Sequence, residues 1–254
     1  MNKLAKSLVV CGLLSASTVA LAEGSAHTLT GNVTLTSNYV FRGISQTGGD
    51  MAIQGGLDYG HSSGFYLGTW ASNVGWIEDF QAYESGNIEV DLYGGFRGGI
   101  GETGLTFDLG AIRYFYPGSN NGPYVDADTS EVYAALGWKW FTAKYSYYLS
   151  DDVFGIVADG SDYIDLSASL PIGETGLTLG AHWGTFSFDE TGDADYDDWS
   201  VSATYDMGKL SSVTSGVTVG VKYTGTNAKE SFWTDANGEF LGDDAFFFWV
   251  TKSL

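Results

Sequence analysis

One cysteine and three prolines in 254 residues, with eleven basic residues against thirty-one acidic ones, set the first limits on this chain. The cysteine, Cys11, lies in an amino-terminal apolar run over residues 8–14, so no disulfide framework follows from it. The acidic excess argues against nucleic acid and bare anionic lipid as partners, because both need basic patches. No later run approaches the roughly eighteen apolar residues of a spanning helix, and helical periodicity is missing.

What is present starts with a leader. Lys3 and Lys6 precede the apolar run, which closes on Ala20-Leu21-Ala22, a small-x-small cleavage pattern. This reads as a secretory signal peptide over 1–22, with one domain over 23–254. A lipoprotein would need a small residue before Cys11, and Val10 stands there. Losing Lys3 and Lys6 takes the formal charge from −20 to −22.

Beyond the leader the period is two. In "TLTGNVTLTSNYVFRGIS" (28–45), Leu29, Val33, Leu35, Tyr39 and Phe41 alternate with Thr30, Asn32, Thr34, Asn38 and Arg42. Alternate side chains leave opposite faces of a strand. The same pattern recurs in Ile53–Leu57–Tyr59, Ile88–Leu92–Phe96, Leu105–Leu109, Phe141–Tyr147, Ile164–Leu170, Leu177–Trp183 and Val217–Tyr223. Weaker runs over 65–73, 130–138, 199–205 and 245–254 bring the count to twelve. The connections mostly alternate between tight turns ("GHSSG", "IGETG", "WKWF", "PIGETG") and longer acidic loops. Ile-Gly-Glu-Thr-Gly-Leu-Thr occurs at 100–106 and again at 172–178, one turn solution used twice.

A soluble β-sandwich also alternates, but its polar faces carry many lysines and glutamates. Here they carry Thr, Ser, Asn, Gly and isolated charges. Aromatics end the apolar faces at Tyr39/Phe41, Tyr59, Tyr147 and Tyr223, as interfacial girdles do. The expectation is an all-β, transmembrane antiparallel barrel of about twelve strands, closed because open edges in hydrocarbon are too costly.

The segments "TLTSNYVFRGISQT", "GFYLGTWASNV", "IEVDLYGGF", "IRYFYPG", "KYSYYLSDDVFG", "LTLGAHWG", "YDDWSVSATYD" and "FWVTKSL" resemble the TorF-type porin family. These are proteobacterial outer-membrane proteins of largely unknown function. The resemblance implies an outer-membrane pore, with membrane lipid, lipopolysaccharide and the barrel assembly machinery as partners. Leu254 stands where such barrels usually carry a terminal aromatic.

Candidate chemistry is sparse. Of three histidines only His182 is on a run, on its polar face; a lumenal hydrogen-bonding role outweighs a hydrolytic one. "DADTSE" and "DADYDD" space carboxylates as calcium loops do, yet lack the glycine and distal glutamate of an EF-hand. Solvated loops are the better reading, and no cofactor is expected. Parity turns Arg42, Arg97, Lys144 and Lys222 inward, with Asp58, Glu89, Asp91, Asp108 and Asp165. Run direction puts Arg42 and Glu89 toward the outer end, and Arg97, Lys144 and Asp58 toward the periplasmic end. This set is either a selectivity lining or a group of paired charges plugging a narrow lumen. Arg113 has the parity of the apolar face, which puts it at the external rim or implies a bulge near Gly110. Asp126, Asp128, Asp151, Asp152, Asp189, Glu190, Asp193, Asp195, Asp197 and Asp198 are expected to crowd the external mouth.

The functional expectation is a porin-like channel passing small hydrophilic solutes or ions with mild cation preference. The alternatives are a closed-lumen barrel whose acidic loops serve the envelope or bind a surface partner, and a soluble exported β-sandwich. Export is expected to cleave after Ala22; the intact mass of the purified outer-membrane form checks this, and a mature chain retaining Lys6 contradicts it.

Overall fold

Outward side chains decide the solvent question. The computed structural model describes residues 26–80, 83–119 and 126–254; the leader and its cleavage site lie outside them. In chain order the elements are β1 (His27–Thr36), β2 (Val40–Phe41), β3 (Ile44–Ser45), β4 (Ala52–His61), β5 (Phe65–Asn73), α1 (Trp76–Asp79), β6 (Ile88–Gly99), β7 (Leu105–Phe115), β8 (Thr129–Trp138) and β9 (Phe141–Tyr148). There follow β10 (Asp152–Val153), β11 (Ile156–Val157), β12 (Asp162–Pro171), β13 (Leu177–Ser187), β14 (Tyr196–Asp206), β15 (Val217–Thr226), α2 (Glu230–Trp233) and β16 (Ala245–Ser253). Among the described residues twelve strands form one closed antiparallel barrel, each paired with its neighbours in sequence; β2–β3 and β10–β11 are separate small hairpins in loops.

The barrel closes where β1 pairs with both β4 and β16, from Asn32 opposite Ser253 to Thr36 opposite Trp249. The Leu254 amide extends this seam by donating to the Gly31 carbonyl at 2.8 Å. Around the whole circumference Leu57, Leu92, Leu109, Leu136, Leu166, Val201 and Phe246 point outward and are exposed. A sandwich would bury one such face; a closed barrel with an apolar belt meets hydrocarbon, which leaves no backbone group unpaired there. The protein is a transmembrane β-barrel.

The repeated heptapeptide forms the same turn twice. Ile100 and Ile172 donate to the carbonyls of Leu105 and Leu177 at 2.9 and 2.8 Å. Thr103 and Thr175 hydroxyls cap the Ile100 and Ile172 carbonyls at 2.6 and 2.7 Å. Both turns need left-handed backbone at their glycines, with φ of 55° at Gly101 and at Gly173. The connection from β14 to β15 is built from two short 3₁₀ turns, Met207–Lys209 and Ser212–Thr214.

Two expectations need correction. The opening alternation does not run to residue 45 as one strand: β1 ends at Thr36, and residues 37–51 turn back into the barrel. Tyr39 and Phe41 are therefore not girdle residues. Tyr39 is buried inside, edge-on to Trp70 at 5.4 Å, and Phe41 packs against Tyr114 and Phe154. Tyr59, Tyr147 and Tyr223 do lie on the outer face. Arg113 sits at the rim, bonded to Asp128 and Ser130 at 3.2 and 3.0 Å. The β6–β7 register runs unbroken past Gly110, so no bulge switches the faces.

Charge is divided between the two ends. The six connections at the end away from the chain termini (37–51, 74–87, 116–128, 149–161, 188–195 and 227–244) hold eighteen of the thirty-one acidic residues and only two basic ones, Arg42 and Lys229. Short turns mark the periplasmic end of such barrels, so the acidic loops face outward from the cell.

Single cysteines at Leu57 and Leu92 are expected to react with lipid-soluble reagents, and cysteines at Arg97 and Lys222 with water-soluble ones. Labelling that ignores this parity would contradict the barrel.

Candidate permeation pathway

The inner wall is stratified along the barrel axis. In the periplasmic half it carries Thr, Ser, Gly and separated charges. Asp58 accepts from the Tyr93 hydroxyl at 2.7 Å, and Asp108 accepts from Tyr66 at 2.6 Å. Tyr66 also meets the Tyr133 hydroxyl at 2.5 Å, and the Arg97 guanidinium lies 4.8 Å over its ring. Glycine makes this possible: a Cβ at Gly110 would overlap the Tyr133 ring, so both tyrosines lie flat along the wall. Lys222 faces inward, 5.8 Å from the Phe247 ring.

Higher up, three groups of ionisable side chains are buried. Arg42, at the tip of the β2–β3 hairpin, reaches Glu131 of β8 at 2.8 Å and also donates to the Tyr148 hydroxyl. Lys144 takes the other Glu131 oxygen at 3.2 Å, and Ser146 donates to it at 3.1 Å. Glu131 is fully buried, so its charge depends on these partners. Three strands further along the wall His182 lies between two carboxylates, with Nδ1 3.0 Å from Asp165 and Nε2 2.8 Å from Asp198. Carboxylates on both ring nitrogens leave neither free to accept a proton from a nucleophile, so His182 is not poised as a general base. Glu89 and Asp91 form a third group, buried beside Tyr39 and Tyr116.

Above these groups the outer half is occupied by packed side chains. Loop residues fold inward and pack with wall aromatics into one core: Tyr39, Ile44, Trp76, Ile77, Tyr116, Phe186, Phe188, Tyr196, Trp233 and Leu241. Phe186 stacks on Phe188 at 4.0 Å, and Trp233 meets Tyr196 edge-on at 5.4 Å while its indole N–H donates to the Ala194 carbonyl at 3.2 Å. Phe41, Ile44, Phe154, Phe188, Trp233 and Leu241 surround a cavity of about 30 Å³, the size of a single water.

On the strands Asp58, Glu89, Asp91, Arg97, Asp108, Lys144, Asp165 and Lys222 alternate with outward apolar neighbours; Lys144 and Arg42 differ from expectation in height and origin. Lys144 extends from mid-strand up to Glu131, so it belongs to the buried group and not to the periplasmic end. Arg42 points inward from an inserted loop, not from a strand. The external acids require a larger correction. Asp198 is not at the mouth: it is 2% exposed inside the wall, accepting from Tyr163 at 2.8 Å and holding His182. Parity along β14 puts it on the face of Tyr196 and Ser200. Several others are partly committed. Asp128 binds Arg113 and the Tyr116 amide, Asp195 accepts from the Phe188 amide at 2.6 Å, Asp197 from Asn227 at 3.1 Å, and Asp193 pairs with Lys229 at 2.5 Å. Asp126, Asp151, Asp189 and Glu190 are exposed. Burial, reinforced by Asp151 and Asp126, pushes the Asp152 carboxyl above its ordinary range, a measure of the crowding.

Sequence reasoning missed Glu131 and the rings around Arg42. The signal existed: in 130–138, Glu131 and Tyr133 alternate with Val132, Ala134, Leu136 and Trp138. Small residues on both faces blurred the alternation.

Comparisons with known proteins agree with this architecture. A family model described as Gcw_chp, a bacterial protein of unknown function, matches residues 20–254. No curated protein matches the sequence. Among solved structures the chain is similar to the KdgM porin, at 6% identity and a TM-score of 0.51, with 89% of this chain and 96% of that chain covered. It is also similar to the KdgM porin in complex with disordered oligogalacturonate, at 7% identity and a TM-score of 0.52, covering 89% and 98%. These likenesses are of fold. A bacterial transmembrane β-barrel belongs in the outer membrane.

Glu131→Ala leaves the Arg42 charge buried without its carboxylate and is expected to cost about 3–5 kcal/mol. Asp58→Ala, which removes one half-exposed hydrogen bond, should cost about 1 kcal/mol. Urea midpoints of the heat-modifiable gel band measure both; equal losses would show that the Arg42–Glu131–Lys144 group is not a main support.

Proposed function

We propose that this chain, which belongs to the Gcw_chp family of bacterial proteins of unknown function, is an outer-membrane channel of the TorF type for small hydrophilic solutes or ions, described here in a closed conformation. The observation that carries the reading is the origin of the obstruction. The periplasmic half of the barrel has a wall of Thr, Ser, Gly and separated charges, whereas the block above it comes largely from loops. Eight-stranded barrels fill their interiors with wall side chains; twelve strands leave width that this protein closes with inserted segments. A loop can withdraw without breaking the barrel's hydrogen-bond ladder, so closure by loops is compatible with conduction.

Acidic loops at the outer mouth bias what enters. A rim of one sign concentrates counter-ions, and its reach is limited by a Debye length of about 10 Å at 0.1 M salt. The reading is a mild preference for cations, with polyanions disfavoured. An acidic saccharide, such as the oligogalacturonate named for the KdgM complex, therefore fits this mouth poorly.

The aromatic core favours a second reading, in which the barrel stays closed and its loops serve the envelope or bind a surface partner. Planar-bilayer recording separates the two. Conductance with a cation-selective zero-current potential at low salt, fading near about 1 M, is expected from the first. Neutralising Asp151, Asp189 and Glu190 together should reduce the selectivity, and Lys222→Gln should increase it. Anion selectivity would overturn the argument from the mouth. Silence at every voltage from a correctly folded barrel would establish the closed reading.

A further inference from the structure

The obstruction has an unusual centre. Arg42 is held at φ 45°, a left-handed conformation uncommon outside glycine, and Gly43 follows at φ 81°. This sharp tip aims the guanidinium into the barrel wall. The receiving surface consists of the Glu131 carboxylate at 2.8 Å and the rings of Tyr163, Phe186 and Tyr148, whose centroids lie 4.1, 5.4 and 5.5 Å from the guanidinium carbon. Phe41, at 4.9 Å, comes from the hairpin itself. The wall supplies everything else, from β8, β9, β12 and β13.

These wall groups are held without Arg42. Tyr148 stacks on Phe186 at 5.3 Å with an interplanar angle of 10°, and Tyr163 meets Phe186 edge-on at 5.5 Å. The Tyr163 hydroxyl is anchored on Asp198 at 2.8 Å. Lys144 and Ser146 engage the other Glu131 oxygen, while Oε2 accepts from the Tyr114 hydroxyl at 3.3 Å as well as from the guest. A carboxylate set among π faces is the chemistry that recognises guanidinium and alkylammonium groups.

We propose that Arg42 fills a binding site for organic cations built into the barrel wall, and that guanidinium- or ammonium-bearing solutes take its place when the β2–β3 hairpin withdraws. Withdrawal without a replacement leaves Glu131 buried with Lys144 as its remaining cation, which opposes opening. A solute that supplies the missing charge removes that opposition, so the hairpin exchanges with cargo of its own chemical kind. The site itself stands on the contacts above; only its use in passage rests on the channel reading.

The test uses the full-length mature barrel, as wild type, Arg42→Ala, Arg42→Gln and Arg42→Ala/Glu131→Gln, with methylguanidinium as the probe and urea and sodium chloride as controls. Thermal stability in detergent is the first readout, because it does not require conduction. Methylguanidinium should raise the Tm of Arg42→Ala and Arg42→Gln, shifting the folding equilibrium by about tenfold at ten times its Kd. Urea and sodium chloride should not do this, the wild type should not respond, and the double variant should lose the effect. A variant that refolds only with methylguanidinium present supports the proposal equally. No response in either single variant, an equal response in the double variant, or failure of both single variants to refold with or without the cation overturns it. Conductance is the second readout. A cation-dependent Tm gain in a barrel that never conducts keeps the site and rejects the channel, whereas conductance without the gain does the reverse.

Discussion

Hydrocarbon offers no hydrogen bonds, and this one constraint organises the molecule. Every strand that crosses the bilayer must have both edges paired, so the chain has to return to its beginning. It does so at the seam of β1 with β16, where Asn32–Thr36 face Trp249–Ser253 and the Leu254 amide reaches Gly31. Closure in turn imposes strict alternation, because each strand has hydrocarbon on one side and the lumen on the other. Leu57, Leu92 and Leu136 on the outside, and Asp58, Asp91 and Glu131 on the inside, are consequences of the same ladder.

A twelve-stranded ring is too wide for its wall side chains to fill, and the outer half is occupied by segments that return from the loops. The result is a hydrophobic core enclosed by polar-faced strands, an arrangement inside out relative to a soluble sandwich. Trp76, Trp233 and Leu241 come from outer loops; Phe186 and Tyr196 come from the wall. Two of the buried ionisable groups at this core are answered by opposite charge, whereas Glu89 and Asp91 are buried together with no cation beside them among the described residues. Glu131 has Arg42 and Lys144, and His182 has Asp165 and Asp198. Removing one member of such a group costs more than the group contributes, because the survivor is left desolvated.

Part of the candidate site could be read directly from the chain. Arg97, Lys222, Asp58, Asp108 and Asp165 are on strands, and counting from an apolar neighbour gives their face. The same count turns Arg42 inward for a reason that does not hold, since β1 ends six residues earlier and a hairpin turn aims it. Asp193, Asp195 and Asp197 make Asp198 look like the end of an acidic loop, yet β14 begins at Tyr196 and parity then turns it inward. Glu131 was legible in principle but hidden by alanines on both faces of β8.

The barrel, the strand count, the facing of the strand residues, the repeated turn and the concentration of acid at one end are legible in the chain alone. These are local properties: a period of two, a turn that needs glycine at fixed positions, a run of aspartates. The path of residues 37–51 and their partners was decided only by the tertiary structure. Whether Tyr39, Phe41 and Arg42 continue a strand toward the membrane surface or turn into the lumen depends on what waits there. Glu131, Tyr148, Tyr163 and Phe186 are 89 to 144 positions further along the chain. Only closure of the ring brings that carboxylate and those rings to one point, and no periodicity in 37–51 encodes their position.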